Sequence, residues 1–178
     1  LHSFPTRRSS DLTHNVQDRD YFKKAKNGEK NISEPLKSIV NNKEIIVLST
    51  PVYKSGKIVG VLSGIYDSKK LNELLGLSAF DEKADVFVAK KNGDIVAQKT
   101  NKNRKTLSCI FQLFDKDNCD EDDCLKTIKE NMKNDKSGYF NYNLDNEKFM
   151  LNYQPLGVND WYVFSVVPNK IVSIQSEN

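Results

Sequence analysis

Two strand–turn–strand units, each followed by an amphipathic helix, constrain this chain more than any other feature. Ile45-Ile46-Val47-Leu48-Ser49-Thr50 is rich in β-branched residues and bounded by polar ones, which predicts a strand. Lys54-Ser55-Gly56-Lys57 is a turn, and Ile58 to Tyr66 is the returning strand. Gly60 and Gly64 inside it point to a bulge, or to a close approach by another backbone or a ligand. Asp67 then caps a helix with Leu71, Leu74 and Leu75 on one face. The same grammar recurs downstream. Val86-Phe87-Val88-Ala89 and Ile95-Val96-Ala97 flank Lys91-Asn92-Gly93-Asp94, and Asn-Gly is a strong hairpin signal.

The rest of the second unit completes a sheet. Leu107 to Phe114 predicts a short helix, and Leu125, Ile128 and Met132 give another amphipathic face. Gly138 to Leu144, Lys148 to Gln154 and Trp161 to Val167 are three further strands. Pro168 suits the first turn of a helix, which Ile171, Val172 and Ile174 continue as an apolar stripe. Upstream of the first hairpin, Val16 to Lys26 reads as a turn into a short helix, with Asp18 or Asp20 as its cap. Ser33-Glu34-Pro35 is a loop, because proline disfavours helix at the residue before it. The fold expected is α/β (α+β): a PAS-like antiparallel five-stranded sheet lobe with flanking helices, plus a truncated second PAS-like lobe.

Composition narrows the function. The chain's 178 residues are 38% hydrophobic and 29% charged, and 27 basic residues nearly balance 24 acidic ones. A nucleic-acid binder concentrates excess basic charge on one face, and there is little excess here. Two His and three Cys exclude most zinc frameworks. No apolar run approaches the roughly 18 residues needed to span a bilayer. The opening Leu1 to Leu12 resembles the in-frame translation of a sequencing-adapter oligonucleotide, so it is set aside from fold reasoning. On that reading Thr13 begins in mid-gene.

At Asp18-Arg19-Asp20-Tyr21-Phe22-Lys23-Lys24-Ala25 the sequence resembles the double Cache family of extracytoplasmic sensor domains. The resemblance continues through Ser33-Glu34-Pro35, Thr50-Pro51-Val52-Tyr53 and Gly56-Lys57-Ile58-Val59-Gly60-Val61-Leu62. The later segment adds Lys91-Asn92-Gly93-Asp94-Ile95 and Trp161 to Pro168. It implies two PAS-like lobes: residues 13–77 as a partial membrane-distal lobe and 78–168 as the membrane-proximal lobe. Residues 169–178 would begin a helix leading to a transmembrane segment. The chain would then sense a small molecule outside the cell membrane for a receptor with a diguanylate cyclase or histidine kinase output. A methyl-accepting chemoreceptor and a non-binding structural or dimerisation domain are the alternatives. The family's long N-terminal helix and both membrane helices would lie outside these residues, and homodimerisation is implied by resemblance only.

Arg19 is the leading candidate for ligand contact. A guanidinium grips a carboxylate with two parallel hydrogen bonds, and Tyr21 and Phe22 supply aromatic walls beside it. The alternative pairs Arg19 with Asp18 or Asp20 on a solvated turn and leaves the two rings in the core. The resemblance favours the pocket. Tyr53 points into that pocket or stacks at its rim, and Asp67 serves it if the strand bulges at Gly64; otherwise Asp67 only caps a helix. Where the family's amino-acid binders carry a Tyr and an Asp, this chain has Leu36 and Ile65. A ligand ammonium would lose its counter-charge there, and burying it unpaired is costly. The resemblance therefore implies an anionic or polar metabolite rather than an ordinary amino acid.

The acidic segment Asp115 to Cys124 lacks the glycine and terminal glutamate of an EF-hand loop, so a solvated loop entering the Leu125 helix is the better reading. Cys119 and Cys124 stand at a spacing that a loop disulfide closes if the backbone bends, which leaves Cys109 as a buried thiol. No nucleophile elbow, P-loop or HExxH is present. Neither catalysis, nor a cofactor, nor nucleic-acid binding is expected within these residues.

Overall fold

The computed structural model describes residues 15–75, 84–100, 106–114, 123–144 and 147–171. The chain forms two compact units that divide between Ser68 and Lys69. The boundary expected at residues 77 and 78 falls outside the described residues, as does the leader.

The first unit opens on α1 (Asp20–Lys26). Its cap is Arg19, in extended backbone, and no side chain caps the helix. Neither Asp18 nor Asp20 takes that role. Asp20 instead becomes the first helical residue, where its carboxylate meets the positive end of the helix. Four antiparallel strands follow: β1 (Asn31–Ile32), β2 (Leu36–Lys37), β3 (Glu44–Lys54) and β4 (Lys57–Asp67). Ser33-Glu34-Pro35 is the expected connection between β1 and β2. Both short strands lie along one edge of β3, and β4 lies along the other.

β3 runs four residues beyond the expected strand and takes Pro51 into its interior. The pairing shows why this is tolerated. The backbone of Val47 faces Ser33 across the β1–β2 edge, accepting from its N–H at 2.8 Å and donating to its hydroxyl at 2.9 Å. Alternate residues face the same edge, so the nitrogen of Pro51 points there too. Pairing on that edge stops at Ser49, so no ladder bond is lost. The register shifts between Val52 and Tyr53, opposite Val59, and runs evenly from Gly60 to Asp67. The bulge therefore sits beside Gly60, and Gly64 carries none.

In the second unit, β5 (Asp85–Lys90), β6 (Ile95–Lys99), β7 (Gly138–Leu144), β8 (Glu147–Pro155) and β9 (Trp161–Pro168) form the expected five-stranded antiparallel sheet, in the order β6-β5-β9-β8-β7. Between β6 and β7 lie a 3₁₀ helix (Ile110–Leu113) and α3 (Cys124–Lys133). The 3₁₀ helix is shorter than the expected 107–114. The Gln98 side chain holds both the N–H and the carbonyl of Leu107 at 2.8 Å, and Cys109 bridges to Asp94 as a strand would. Those bonds take the first residues away from helix. Ile128 and Met132 are fully buried, with Leu125 packed beside them, as the periodicity predicts.

α2 (Ser68–Leu75) directly follows Asp67, the last residue of β4. The amide oxygen of Asn72 accepts from the N–H of Gln98 at 2.9 Å. Ser68 donates to Glu44 at 3.0 Å and closes the end of the β3–β4 hairpin.

Candidate functional site

Residues directly opposite in an antiparallel pair share a face. Val47, Ser49, Pro51 and Tyr53 therefore share one face of the first sheet with Ile65, Ser63, Val61 and Ile58. α1 covers part of that face. At its C-terminal end Gly28, with φ +101, lies so close that a Cβ there would sit 3.6 Å from the Tyr53 hydroxyl and 3.9 Å from Ile58. Towards its start, the Tyr21 carbonyl accepts from the side chain of Asn31 at 3.1 Å. Asn31 pairs with Ser49, and the Ser49 hydroxyl lies 2.9 Å from that of Ser63. A row of polar side chains, Asn31, Ser49 and Ser63, thus crosses the sheet level with Tyr21.

The helix covers this face unevenly. Val47, Ser49 and Pro51 of β3 are buried, whereas Ser63 and Ile65 of β4 stay exposed. The result is an open floor beside a short helix whose cap is Arg19. Arg19 is half-buried, and among the described residues its guanidinium makes no hydrogen bond or ion pair. The alternative pairing with Asp18 or Asp20 is not formed. Tyr21 is buried at 8% exposure and acts as a core residue, while Phe22 is half-buried.

The remaining candidates are not brought to one place. Tyr53, 56% exposed, sits at the turn end of the hairpin, and Asp67 pairs with Ile45 at the other. Eight steps along β3 separate Tyr53 from Ile45, the partner of Asp67, about 26 Å at the usual rise. A single metabolite cannot touch both. Asp67 does share the α1-bearing face with Ser63 and Ile65. Ser49 and Ser63 were given no site role from the sequence. The serines are two of many, and only the β3–β4 register reveals that they meet.

The interior of the second unit is filled by its own rings. Phe140 stacks on Tyr153 at 6.0 Å, Tyr142 on Phe149 at 5.6 Å and Tyr153 on Phe164 at 5.9 Å. Tyr162 is fully buried, and its hydroxyl donates towards the carbonyls of Met132 and Lys136, each at 3.3 Å. Burial, and then Asp135 and Tyr153, push that phenol above its ordinary range. An open recess of about 620 Å³ lies on the opposite face of this sheet, between Tyr139, Asn152, Gln154 and Ser165, with no charged side chain in its lining. Cys109 is a free thiol and Cys124 is disulfide-bonded. Cys119 lies outside the described residues, as does most of the acidic segment. No group of side chains suited to a metal occurs among the described residues.

The sequence model of the Cache domain family matches residues 2–174. No curated protein sequence matches the chain. Among solved structures, the isoleucine-bound sensory domain of the Campylobacter jejuni chemoreceptor Tlp3 is similar, with 19% identity and a TM-score of 0.56, over 89% of this chain and 57% of that one. The ligand-binding domain of the Pseudomonas aeruginosa PAO1 amino acid chemoreceptor PctB, in complex with L-Arg, is 15% identical with a TM-score of 0.55, over 93% of this chain and 67% of that one. The extracellular domain of the putative histidine kinase mmHK1S-Z3 is 18% identical with a TM-score of 0.54, over 93% and 59%. The chain thus spans 57% of the length of the Tlp3 sensory domain.

Proposed function

The chain belongs to the Cache domain family, and from that premise we propose that it is the extracytoplasmic small-molecule sensing domain of a transmembrane receptor. In this reading the first unit is the membrane-distal lobe and holds the ligand, and the second is the membrane-proximal lobe. The observation that carries the reading is the half-buried Arg19 guanidinium, without a partner among the described residues, at the cap of a helix that leaves Ser63 and Ile65 open on the same sheet face. In the second unit the interior is occupied by stacked rings and the recess on the outer sheet face is uncharged.

The ligand proposed is a small carboxylate. Arg19 takes the carboxylate, Phe22 lies against its apolar part, and Ser63 donates or accepts at the floor. Ile65 stands where a carboxylate would be needed to hold an ammonium, so an α-amino acid is disfavoured, in contrast to the Tlp3 and PctB ligands. Pairing of Cys119 with Cys124, a membrane anchor and a diguanylate cyclase or histidine kinase output belong to the same proposal. The histidine kinase relative favours that output, and the chemoreceptor relatives favour a methyl-accepting receptor as the second reading. Titration calorimetry of the chain against small mono- and dicarboxylates and the matching amino acids tests the site. Carboxylate binding that disappears in Arg19→Ala supports it. Binding unchanged by that substitution, or preference for the amino acid, overturns it.

A further inference from the structure

Four neighbouring strands of the second unit each bring one residue into a row on the outer face of its sheet. Tyr139 of β7 pairs with Asn152 of β8, Asn152 with Ser165 of β9, and Ser165 with Val86 of β5. Residues directly opposite share a face, so the row runs at strand spacing, about 5 Å from each residue to the next. Two residues along β8, Gln154 pairs with Val163 and begins a second row. These six residues line the recess of about 620 Å³. Three properties set it apart from an ordinary sheet surface. No described residue in its lining is charged. The side-chain amides of Asn152 and Gln154 and the hydroxyls of Ser165 and Tyr139 make no hydrogen bond among the described residues. Tyr139 holds a large ring 68% exposed at one end of the row, while Val86 is buried at the other.

We propose that this recess binds a neutral pyranose sugar. Its described lining has no cation to hold a carboxylate or phosphate, and no carboxylate to hold an ammonium. An apolar ligand would bury the amides and hydroxyls unpaired, which is costly. A sugar hydroxyl both donates and accepts, and so do the amides of Asn152 and Gln154 and the hydroxyl of Ser165. The two amides stand about 7 Å apart along β8, a spacing that reaches hydroxyls on opposite sides of one pyranose ring. Tyr139 supplies what an amide cannot. The face of an aromatic ring carries partial negative charge, and the C–H groups on one face of a pyranose carry partial positive charge, so the two surfaces stack. Val163 and Val86 continue the floor as apolar surface, as in ligand recesses generally. The site belongs to the second unit alone and holds whether or not Arg19 takes a carboxylate.

Heteronuclear spectra of the isotope-labelled full chain, titrated with D-glucose, D-galactose and D-mannose, test it. Saturable shifts should centre on the side-chain amides of Asn152 and Gln154. Maltose or cellobiose bound more tightly than D-glucose would make the occupant the end of a glycan chain, and equal affinity would make it the free sugar. Tyr139→Ala should weaken binding at least tenfold, while Tyr139→Phe keeps most of it, because stacking needs only the ring. Gln154→Ala should weaken it several-fold. Asn141→Ala, on the same face of β7 but outside the recess, should leave it unchanged. These three side chains are exposed, so the melting temperature should hold in every variant. No saturable shift with any of these sugars, shifts centred elsewhere, or affinity unchanged in Tyr139→Ala overturns the proposal. So does binding that Arg19→Ala abolishes, which would put the sugar at the carboxylate site.

Discussion

The hydroxyl of Ser49, 4% exposed, lies 2.9 Å from that of Ser63, which is open to solvent. The pair joins β3 to β4 on the face that α1 partly covers, so it serves both the fold and the floor of the proposed site. Removing one partner strands a buried hydroxyl, which costs about 1–3 kcal/mol, whereas removing both is close to neutral. Ser63→Ala should therefore destabilise the first unit more than the Ser49→Ala/Ser63→Ala double variant does. Urea unfolding of the double-mutant cycle reads the coupling directly. Additive losses would mean the hydroxyls do not interact.

Arg19 and Lys should not be interchangeable at the site. An ammonium cannot reproduce the two-pronged grip of a guanidinium, so Arg19→Lys should recover only part of the carboxylate affinity lost in Arg19→Ala. The full loss should be about 1.5–3 kcal/mol, the scale of a hydrogen bond to a charged group. Neither substitution should move the melting temperature, because Arg19 has no partner among the described residues to abandon. Full recovery by Lys would show that charge alone, without geometry, holds the ligand.

Tyr21 should behave in the opposite way. Its ring is buried beneath α1, next to the fully buried Ala25. Tyr21→Ala should open a cavity and cost about 3–5 kcal/mol of stability, with any affinity change following from loss of fold. Thermal melts alongside the Arg19 variants separate the two roles. A Tyr21→Ala chain as stable as its parent would return the ring to the pocket wall.

The strands were legible because alternation and turn chemistry are local. Lys54-Ser55-Gly56-Lys57, Asn92-Gly93 and the Leu125, Ile128, Met132 periodicity each encode an element within a few residues. The cap of α1 was less legible, since Asp18, Arg19 and Asp20 are adjacent and only backbone geometry selects among them. Proline is disfavoured in a strand interior, and only the pairing of β1, ending at Ser49, explains the place of Pro51 in β3. The site depended most on non-local facts. That Ser49 meets Ser63, that Tyr53 and Asp67 lie at opposite ends of one hairpin, and that rings fill the second unit all follow from register, which no single segment specifies.

Gly93 is required twice over. Its φ is +97, and a Cβ there would meet the Phe111 ring at 2.5 Å and the Cys109 sulfur at 2.8 Å. The surrounding turn is held by Lys90 N–H to the Asp94 carbonyl at 2.9 Å and Ile110 N–H to the Gly93 carbonyl at 2.8 Å. Gly93→Ala should cost about 1–3 kcal/mol through backbone strain, with a further loss from displacing Phe111. Because Lys129 lies 4.9 Å from that ring, the variant should also change the environment of the 3₁₀ helix in heteronuclear spectra. Wild-type stability in Gly93→Ala would mean that the turn adopts another conformation.

Tyr162 ties stability to alkaline pH. Its hydroxyl donates towards the carbonyl of Met132, in the last turn of α3, and that of Lys136 just beyond the helix. Burial is the first cause of its raised pKa, with Asp135 and Tyr153 adding to it. The native state therefore keeps the phenol proton to a higher pH than the unfolded chain, whose tyrosines titrate near pH 10. Stability from this group is complete below pH 10, where both states are protonated. It falls as pH rises from there through the native value, because the unfolded state alone gains from ionisation. Tyr162→Phe should cost about 1 kcal/mol at neutral pH, through the lost hydrogen bonds, and should flatten the decline above pH 10. Denaturant unfolding from pH 7 to 11 measures both effects in the two chains. An identical alkaline slope in Tyr162→Phe would assign the decline to other groups and remove Tyr162 from the linkage.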